Sequence, residues 1–386
     1  MEERKITQSS SAYQKLKAVY DDRFACAARW RAEGVKTVVS LGSDVPDEIL
    51  IAARMRSIRA FQEMEPIETP VADEYLEGRV LSNKPVLRMF ENMVNGRYDA
   101  LVDHAVISNS DGASYGMYNV LRELRRILPG SRVPPLYFID LLFTKYHVHM
   151  SRNERVVEQF KEAVESWVGF RISEDALRRA CAVCNDNRDA LRAFDALRWG
   201  TPSLVTGTEA LVVIGSSLFM EKEAHTALVR ELTEEARSWP EAPGKRVFFT
   251  GTDQQNTGVY ELIERAGGNV VAEDHNWGAR HYDRNVPLDL PLTKAIAGRY
   301  VLRTSQTSRA FVHERVADIE RYVTERQAEA VIFYLSINDD AACWDYPSVK
   351  KMLDGHGIPS LLLYSQPNPV ADPDALLMKF HSFLNS

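Results

Sequence analysis

The residues of this chain that carry chemistry gather where short apolar runs end. Val331–Leu335 is rich in β-branched and aromatic residues, and the acidic loop Ser336–Ala342 follows it with Asp339 and Asp340 side by side. Ala105–Ser108 is a second such run, followed by Ser110-Asp111. A third, Asn269–Ala272, leads into EDHNWGAR, which holds Glu273, Asp274, His275, Trp277, Gly278 and Arg280. Carboxylates and an imidazole at strand ends suit acid–base work or the binding of a hard divalent ion through oxygen. Glu48, in Pro46-Asp47-Glu48, reads equally as a catalytic acid and as a first-turn acid that complements a helix dipole. Cys181 and Cys184 have the spacing of half a zinc site, but no second Cys pair and no His pair accompanies them. They read as two small residues on a packed helix, and no metal ligand set is assigned.

The elements that must position these residues alternate as strand, loop and helix. Around the acidic loop, Val331–Leu335 is a buried strand and Ile358–Tyr364 the next buried strand. Between them Asp345 is expected to cap a helix with Pro347 near its first position, and Gly355 and Gly357 to stop it. Ligands of open parallel sheets bind at the carboxyl ends of the strands, so Ser336–Ala342 is where chemistry is expected. Upstream, residues 1–33 read as one amphipathic helix, Val35–Leu41 as the first strand and Ile49–Met55 as a helix. Ser82 reads as the N-cap of a helix over Lys84–Asn92, with Asn83 beside it. Tyr115–Leu128 is a helix, Leu136–Ile139 a strand, and Arg152–Arg198 mostly helical. Gly244–Thr252 opens a second sheet, followed by helices over Tyr260–Arg265 and Leu290–Tyr300 and one ending at Arg326. The fold class is α/β: two parallel-sheet domains of flavodoxin or Rossmann type, residues 1–151 and 216–386, joined by a helical connector, residues 152–215.

Composition narrows the function. At 386 residues the chain exceeds one compact core, and its apolar (45%) and charged (26%) fractions are those of a soluble globular protein. A net charge of −7 argues against nucleic acid and anionic membranes as partners. No apolar run reaches spanning length and the start lacks a secretory core, so a cytoplasmic protein is expected. The phosphate-binding Walker A run, a Gly-x-Gly-x-x-Gly turn and a Gly-x-Ser-x-Gly elbow are all missing, which removes support for ATP hydrolysis, NAD binding and serine-hydrolase chemistry.

From Val35 onward the chain resembles the subunits of 2-hydroxyacyl-CoA dehydratases and benzoyl-CoA reductases. The resemblance rests on the strand before Pro46-Asp47-Glu48, on Ser110-Asp111, and on Gly169, Ile172, Leu177, Asn187 and Arg188 in the connecting helices. It continues through Gly278-x-Arg280 and Asp345-Tyr346-Pro347. In that family three cysteines from the two domains hold a 4Fe-4S cluster, and electrons come from a separate ATP-dependent activator. The matching positions here are Ser82 (Asn83 if the register slips by one), Ser110 and Asp339. Hard oxygen donors stand where the resemblance implies thiolates, and they suit a sulfide cluster poorly. The three positions are expected to converge between the domains. By the same resemblance Ser82, Asn83, Ser110, Trp277, Gly278 and Arg280 line the substrate site, with Arg280 on a CoA phosphate or the thioester.

Three readings follow. In the first, this is a cluster-free subunit paired as a heterodimer with a homologous cluster-bearing subunit, which the activator serves, and the complex acts on an acyl-CoA thioester. No cofactor is then bound by this chain. In the second it is an iron–sulfur-independent acyl-CoA lyase or hydratase using Glu48, Asp111, His275, Asp339 and Asp340 as acid–base groups. In the third it is a non-catalytic regulatory or assembly protein.

Overall fold

The computed structural model describes residues 4–76, 84–110, 112–303, 310–337, 339 and 341–386. Ser82, Asn83, Asp111 and Asp340, and with them the capping role read for Ser82, lie outside the described residues. The chain opens with α1 (Lys5–Ser9), α2 (Ser11–Asp21) and α3 (Ala25–Ala32). Then come β1 (Thr37–Leu41), α4 (Asp47–Ala52), β2 (Arg56–Arg59), α5 (Pro70–Tyr75), α6 (Lys84–Val94), β3 (His104–Ser108), α7 (Gly112–Ile127) and β4 (Leu136–Ile139). Four helices follow: α8 (His147–Val168), α9 (Glu174–Trp199), α10 (Gly207–Ser216) and α11 (Lys222–Ala236). The last part runs β5 (Lys245–Gly251), α12 (Gly258–Arg265), β6 (Gly268–Glu273), α13 (Leu292–Val301), α14 (Val312–Glu325), β7 (Ala330–Ser336), α15 (Ala341–Gly355), β8 (Ser360–Gln366) and α16 (Pro373–Leu384).

The described residues form two four-stranded sheets, β2-β1-β3-β4 and β6-β5-β7-β8, with every pair parallel. The expected α/β class with two parallel sheets is what the structure has. The central strands explain why: β1 (TVVSL) and β7 (AVIFYLS) are buried at every position, as a strand covered by helices on both faces must be. Each sheet runs outward from its first strand in one direction and then resumes on the other side, which puts a topological switch point between β1 and β3 and another between β5 and β7.

Helices tie the two sheets together. Trp30, Leu218, Phe219 and Trp277 belong to one apolar cluster with Ile107 of the first sheet and Phe249 and Ile332 of the second. Each such side chain, fully buried, stabilises the fold by roughly 1.5–3 kcal/mol. α13 follows β6 in the chain yet packs on α8, and its Leu292, Ile296 and Tyr300 join Val38 and Val106 of the first sheet. α2 packs on α10 and α11.

Three local expectations need correction. Residues 1–33 are three helices, because Ser10 caps a new one by accepting from the Tyr13 amide and Asp22–Phe24 turn the chain again. α15 begins at Ala341, so Asp345 is no cap: it is buried inside the helix, where both carboxylate oxygens accept from Arg315 of α14, and Pro347 lies well inside as well. β8 is an edge strand, half-buried to exposed at all positions but Leu363, rather than a buried one.

Candidate functional site

The carboxyl ends of both sheets face the junction between them. Gln62, beyond β2, accepts on its side chain from Asn368 beyond β8 at 2.6 Å, and its amide donates to Gln255 beyond β5 at 2.8 Å. Lys145, beyond β4, pairs with Glu314 in the first turn of α14 at 2.6 Å. Both switch points therefore look into the space where substrate is expected in such sheets.

The two switch points are built alike. Leu41-Gly42-Ser43 ends β1 and Thr250-Gly251-Thr252 ends β5. Gly42 has φ +88°, and a β-carbon there would collide with the Ser108 and Ser110 hydroxyls. Gly251 has φ +116°, and a β-carbon there would collide with the Tyr334 carbonyl. Only glycine allows this backbone and this closeness together. Ser110, buried at the end of β3, thus sits against Gly42, and Ser108 Oγ accepts from the Asp44 amide at 3.3 Å. At the other sheet Thr252 Oγ donates to Asp339 Oδ2 at 2.5 Å and accepts from the Ser336 amide at 2.9 Å. Ser110 and Asp339 occupy corresponding places, each just past the second central strand of its sheet.

Each switch point adjoins a cavity. One, of about 450 Å³, is lined by Asn109, the loop Leu141–Tyr146 after β4, and Ala310, Phe311 and Glu314. Its walls are mostly apolar, with Leu141, Leu142, Phe143 and Phe311 contributing. The other, of about 310 Å³, lies among Asp253–Asn256, Tyr334, Ser336 and Asn368–Val370.

Other candidates lie elsewhere. Glu48 is fully buried, with Arg188 donating to it at 2.5 Å and Tyr300 at 3.0 Å. Burial alone would raise its pKa, but the Arg188 charge, with Arg299 behind it, holds the carboxyl below the usual range. It stays ionised as half of a locked ion pair. His275 is fully buried, its Nε2 bonded to the Tyr260 hydroxyl at 2.9 Å, and burial pulls its pKa below the ordinary imidazole value. Trp277 is packed on Phe219, with Arg23 over its ring. Gly278 is pressed on the Glu273 carboxylate, where a β-carbon would collide, and Glu273 is itself bound by Arg198 and the Ala279 amide. Arg280 is buried, not on the surface, 3.8 Å from Asp274, whose carboxyl burial pushes up to about 6 against the pull of Arg280. These residues hold the loop after β6 in place.

Among the described residues Cys343 alone of the four cysteines is near a switch point in the chain, four residues past Asp339, and it could supply one ligand at most. Cys26 is in α3, Cys181 and Cys184 in α9, and Cys343 in α15. Burial pushes the thiols of Cys26, Cys181 and Cys184 up, so they stay protonated at neutral pH. Among the described residues no group of three His, Cys, Asp or Glu side chains is placed to hold a metal ion. This donor set does not fit a cluster held by three cysteines. No helix among them is long and apolar enough to cross a membrane.

The sequence reading passed over Gly42, Thr252, Phe311 and the loop after β4. The signal for the first two was present: a Gly followed by Ser or Thr closes the opening strand of each sheet.

Comparison with known proteins finds this chain similar in sequence to acyl-CoA dehydratase subunits. The profile of the family described as 2-hydroxyglutaryl-CoA dehydratase, D-component, matches residues 43–385. The (R)-phenyllactyl-CoA dehydratase beta subunit of Clostridium sporogenes is 25% identical over 341 residues, covering 86% of each chain. The (R)-2-hydroxyglutaryl-CoA dehydratase subunit beta of Acidaminococcus fermentans is 22% identical over 347 residues, 86% of this chain and 87% of that one. The lactoyl-CoA dehydratase subunit beta of Anaerotignum propionicum is 25% identical over 214 residues, 53% of this chain and 56% of that one.

Proposed function

The chain belongs to the 2-hydroxyglutaryl-CoA dehydratase D-component family, and from that premise we propose that it is a cluster-free, beta-type subunit of a heteromeric dehydratase acting on an acyl-CoA thioester. The observation that carries the proposal is that Ser110 and Asp339 stand at corresponding places of the two switch points, while three of the four cysteines are buried in α3 and α9 and only Cys343, in the first turn of α15, follows a switch point. On this view the family frame is retained and oxygen donors replace its sulfur donors. In this reading the 4Fe-4S cluster belongs to a homologous partner, an ATP-dependent activator delivers electrons to that partner, and the complex is cytoplasmic.

This chain's part is binding and shaping. The cavity beside Ser110 has the size and apolar walls to take an acyl group, while Lys145 and Asn109 at its rim offer donors to the thioester and pantetheine amides. Asp339 is a carboxylate fixed by Thr252, whose hydroxyl also holds the amide of Ser336 in the wall of the second cavity. Glu48 and His275 are enclosed in the core, so they support the site without reaching substrate. That enclosure weighs against the reading in which they act as acid–base groups of an independent lyase.

The test is anaerobic purification from the native host through a tag on this chain. Recovery of a homologous, cysteine-bearing chain, with iron on that chain and a CoA ester retained, is the expected result. A homodimer that turns over an acyl-CoA without reductant would overturn the proposal in favour of the lyase, and a chain binding neither homologue nor CoA ester would leave a non-catalytic protein.

A further inference from the structure

A narrow cavity of about 20 Å³ lies between the two sheets, room for one water-sized occupant. Its walls come from the loop after β1, the end of β2, α9, α11, the loop after β6 and α13. Five of the lining side chains are cations: Arg59, Arg188, Lys222, Arg299 and Arg303.

Four of them have a carboxylate each. Arg188 pairs with Glu48 at 2.5 Å, Arg303 with Asp44 at 2.7 Å, Lys222 with Asp47 at 3.4 Å and Arg299 with Asp283 at 3.8 Å. Arg59 has none. Among the described residues its side chain makes no ion pair, and its Nε is shut off from solvent with no acceptor. The Nε of Arg299, a residue only 2% exposed, is likewise buried without an acceptor on the same cavity. A guanidinium does not shed its charge in a protein, so Arg59 cannot escape by deprotonating. Arg59 is half-buried as a residue, and the five cations of this enclosed place face only the four carboxylates Glu48, Asp44, Asp47 and Asp283, an excess of positive charge that is destabilising. One acceptor of a lining residue, Asn276 Oδ1, is also unpaired, so the occupant works beside a donor such as water.

We propose that this cavity is a binding site for a small monovalent anion of chloride size, held by Arg59 and Arg299, which ties the β2 end of the first sheet to the α13 segment after the second. The charge balance selects an anion over a neutral water, because a water would leave five cations sharing four carboxylates. The size selects a monatomic ion over a phosphate or carboxylate ligand. The site touches Ser43, the residue after Gly42 of the first switch point, and its argument makes no use of the acyl-CoA reading.

The experiment uses the full chain. Its thermal midpoint is compared in sodium gluconate and in sodium chloride or bromide at equal ionic strength, gluconate being too large to enter. A midpoint higher by about 2–5 °C in about 100 mM halide is expected, with the difference gone in Arg59→Met. Equal midpoints in the two salts, or a halide effect that Arg59→Met keeps, would overturn the proposal. If Arg59→Met does not fold, the natural-sequence protein crystallised with bromide decides. An anomalous peak between Arg59 and Arg299 supports the site, and a featureless cavity under the same conditions rejects it.

Discussion

Thr252 donates its hydroxyl proton to Asp339 at 2.5 Å while accepting from the Ser336 amide at 2.9 Å, so the end of β5 fixes the carboxylate that follows β7. A carboxylate held in this way is an oxygen donor with a set direction, and in the proposed reading it stands in for a family cysteine. If that register is right, the site should accept sulfur again. The variant carrying Ser82→Cys, Ser110→Cys and Asp339→Cys should gain iron and sulfide on anaerobic reconstitution, with the broad visible absorbance of a cluster. A folded triple variant that takes up no iron would show that the three positions do not meet.

Gly42 predicts a stability effect at the other switch point. Gly42→Ala places a side chain at φ +88° and against two serine hydroxyls. The expected loss is about 1–3 kcal/mol, read from the urea midpoint. An unchanged midpoint would mean that β1 and β3 are not held this closely.

Much of this was legible in the sequence, and the reasons differ by element. β1, β3, β5 and β7 were readable because central strands of a parallel sheet are continuous apolar runs. β2, with the sequence RSIR, was not, because three of its four residues are only half-buried and its apolar signal is one residue long. Asp345 misled because an acid followed by a proline has the local signature of a helix start. What it does, pairing with Arg315 thirty residues earlier, is a tertiary contact that no local pattern encodes. His275 and Arg280 were visible as chemistry-bearing types, but their burial depends on how the loop after β6 folds under α10 and α13.

Glu48 makes a prediction about pH. Its folded pKa is below the unfolded value of 4.5, so the pair with Arg188 contributes stability above pH 4.5 and loses it as pH falls through the folded pKa. Glu48→Gln leaves the buried Arg188 unpaired and should cost about 3–5 kcal/mol at neutral pH. The gap in midpoint between the natural sequence and Glu48→Gln should shrink below pH 4.5 when followed by calorimetry. A gap independent of pH would contradict the ion pair.

The apolar cavity beside Ser110 makes a prediction about affinity. Phe311→Ala removes part of its wall from a side chain that is 59% exposed, so the fold should tolerate the change. The complex should bind an acyl-CoA about 5–30-fold more weakly, while CoA itself is little affected, because only burial of the acyl group is lost. Equal losses for CoA and acyl-CoA would place the acyl group elsewhere.

The central claim is that this chain holds no cluster of its own. Its direct test is the iron and acid-labile sulfide content of the chain purified alone under strict anaerobiosis and then offered iron and sulfide. The account predicts far less than one iron per chain after chelation and no visible absorbance. A stable value near four irons and about four sulfides per chain would contradict it.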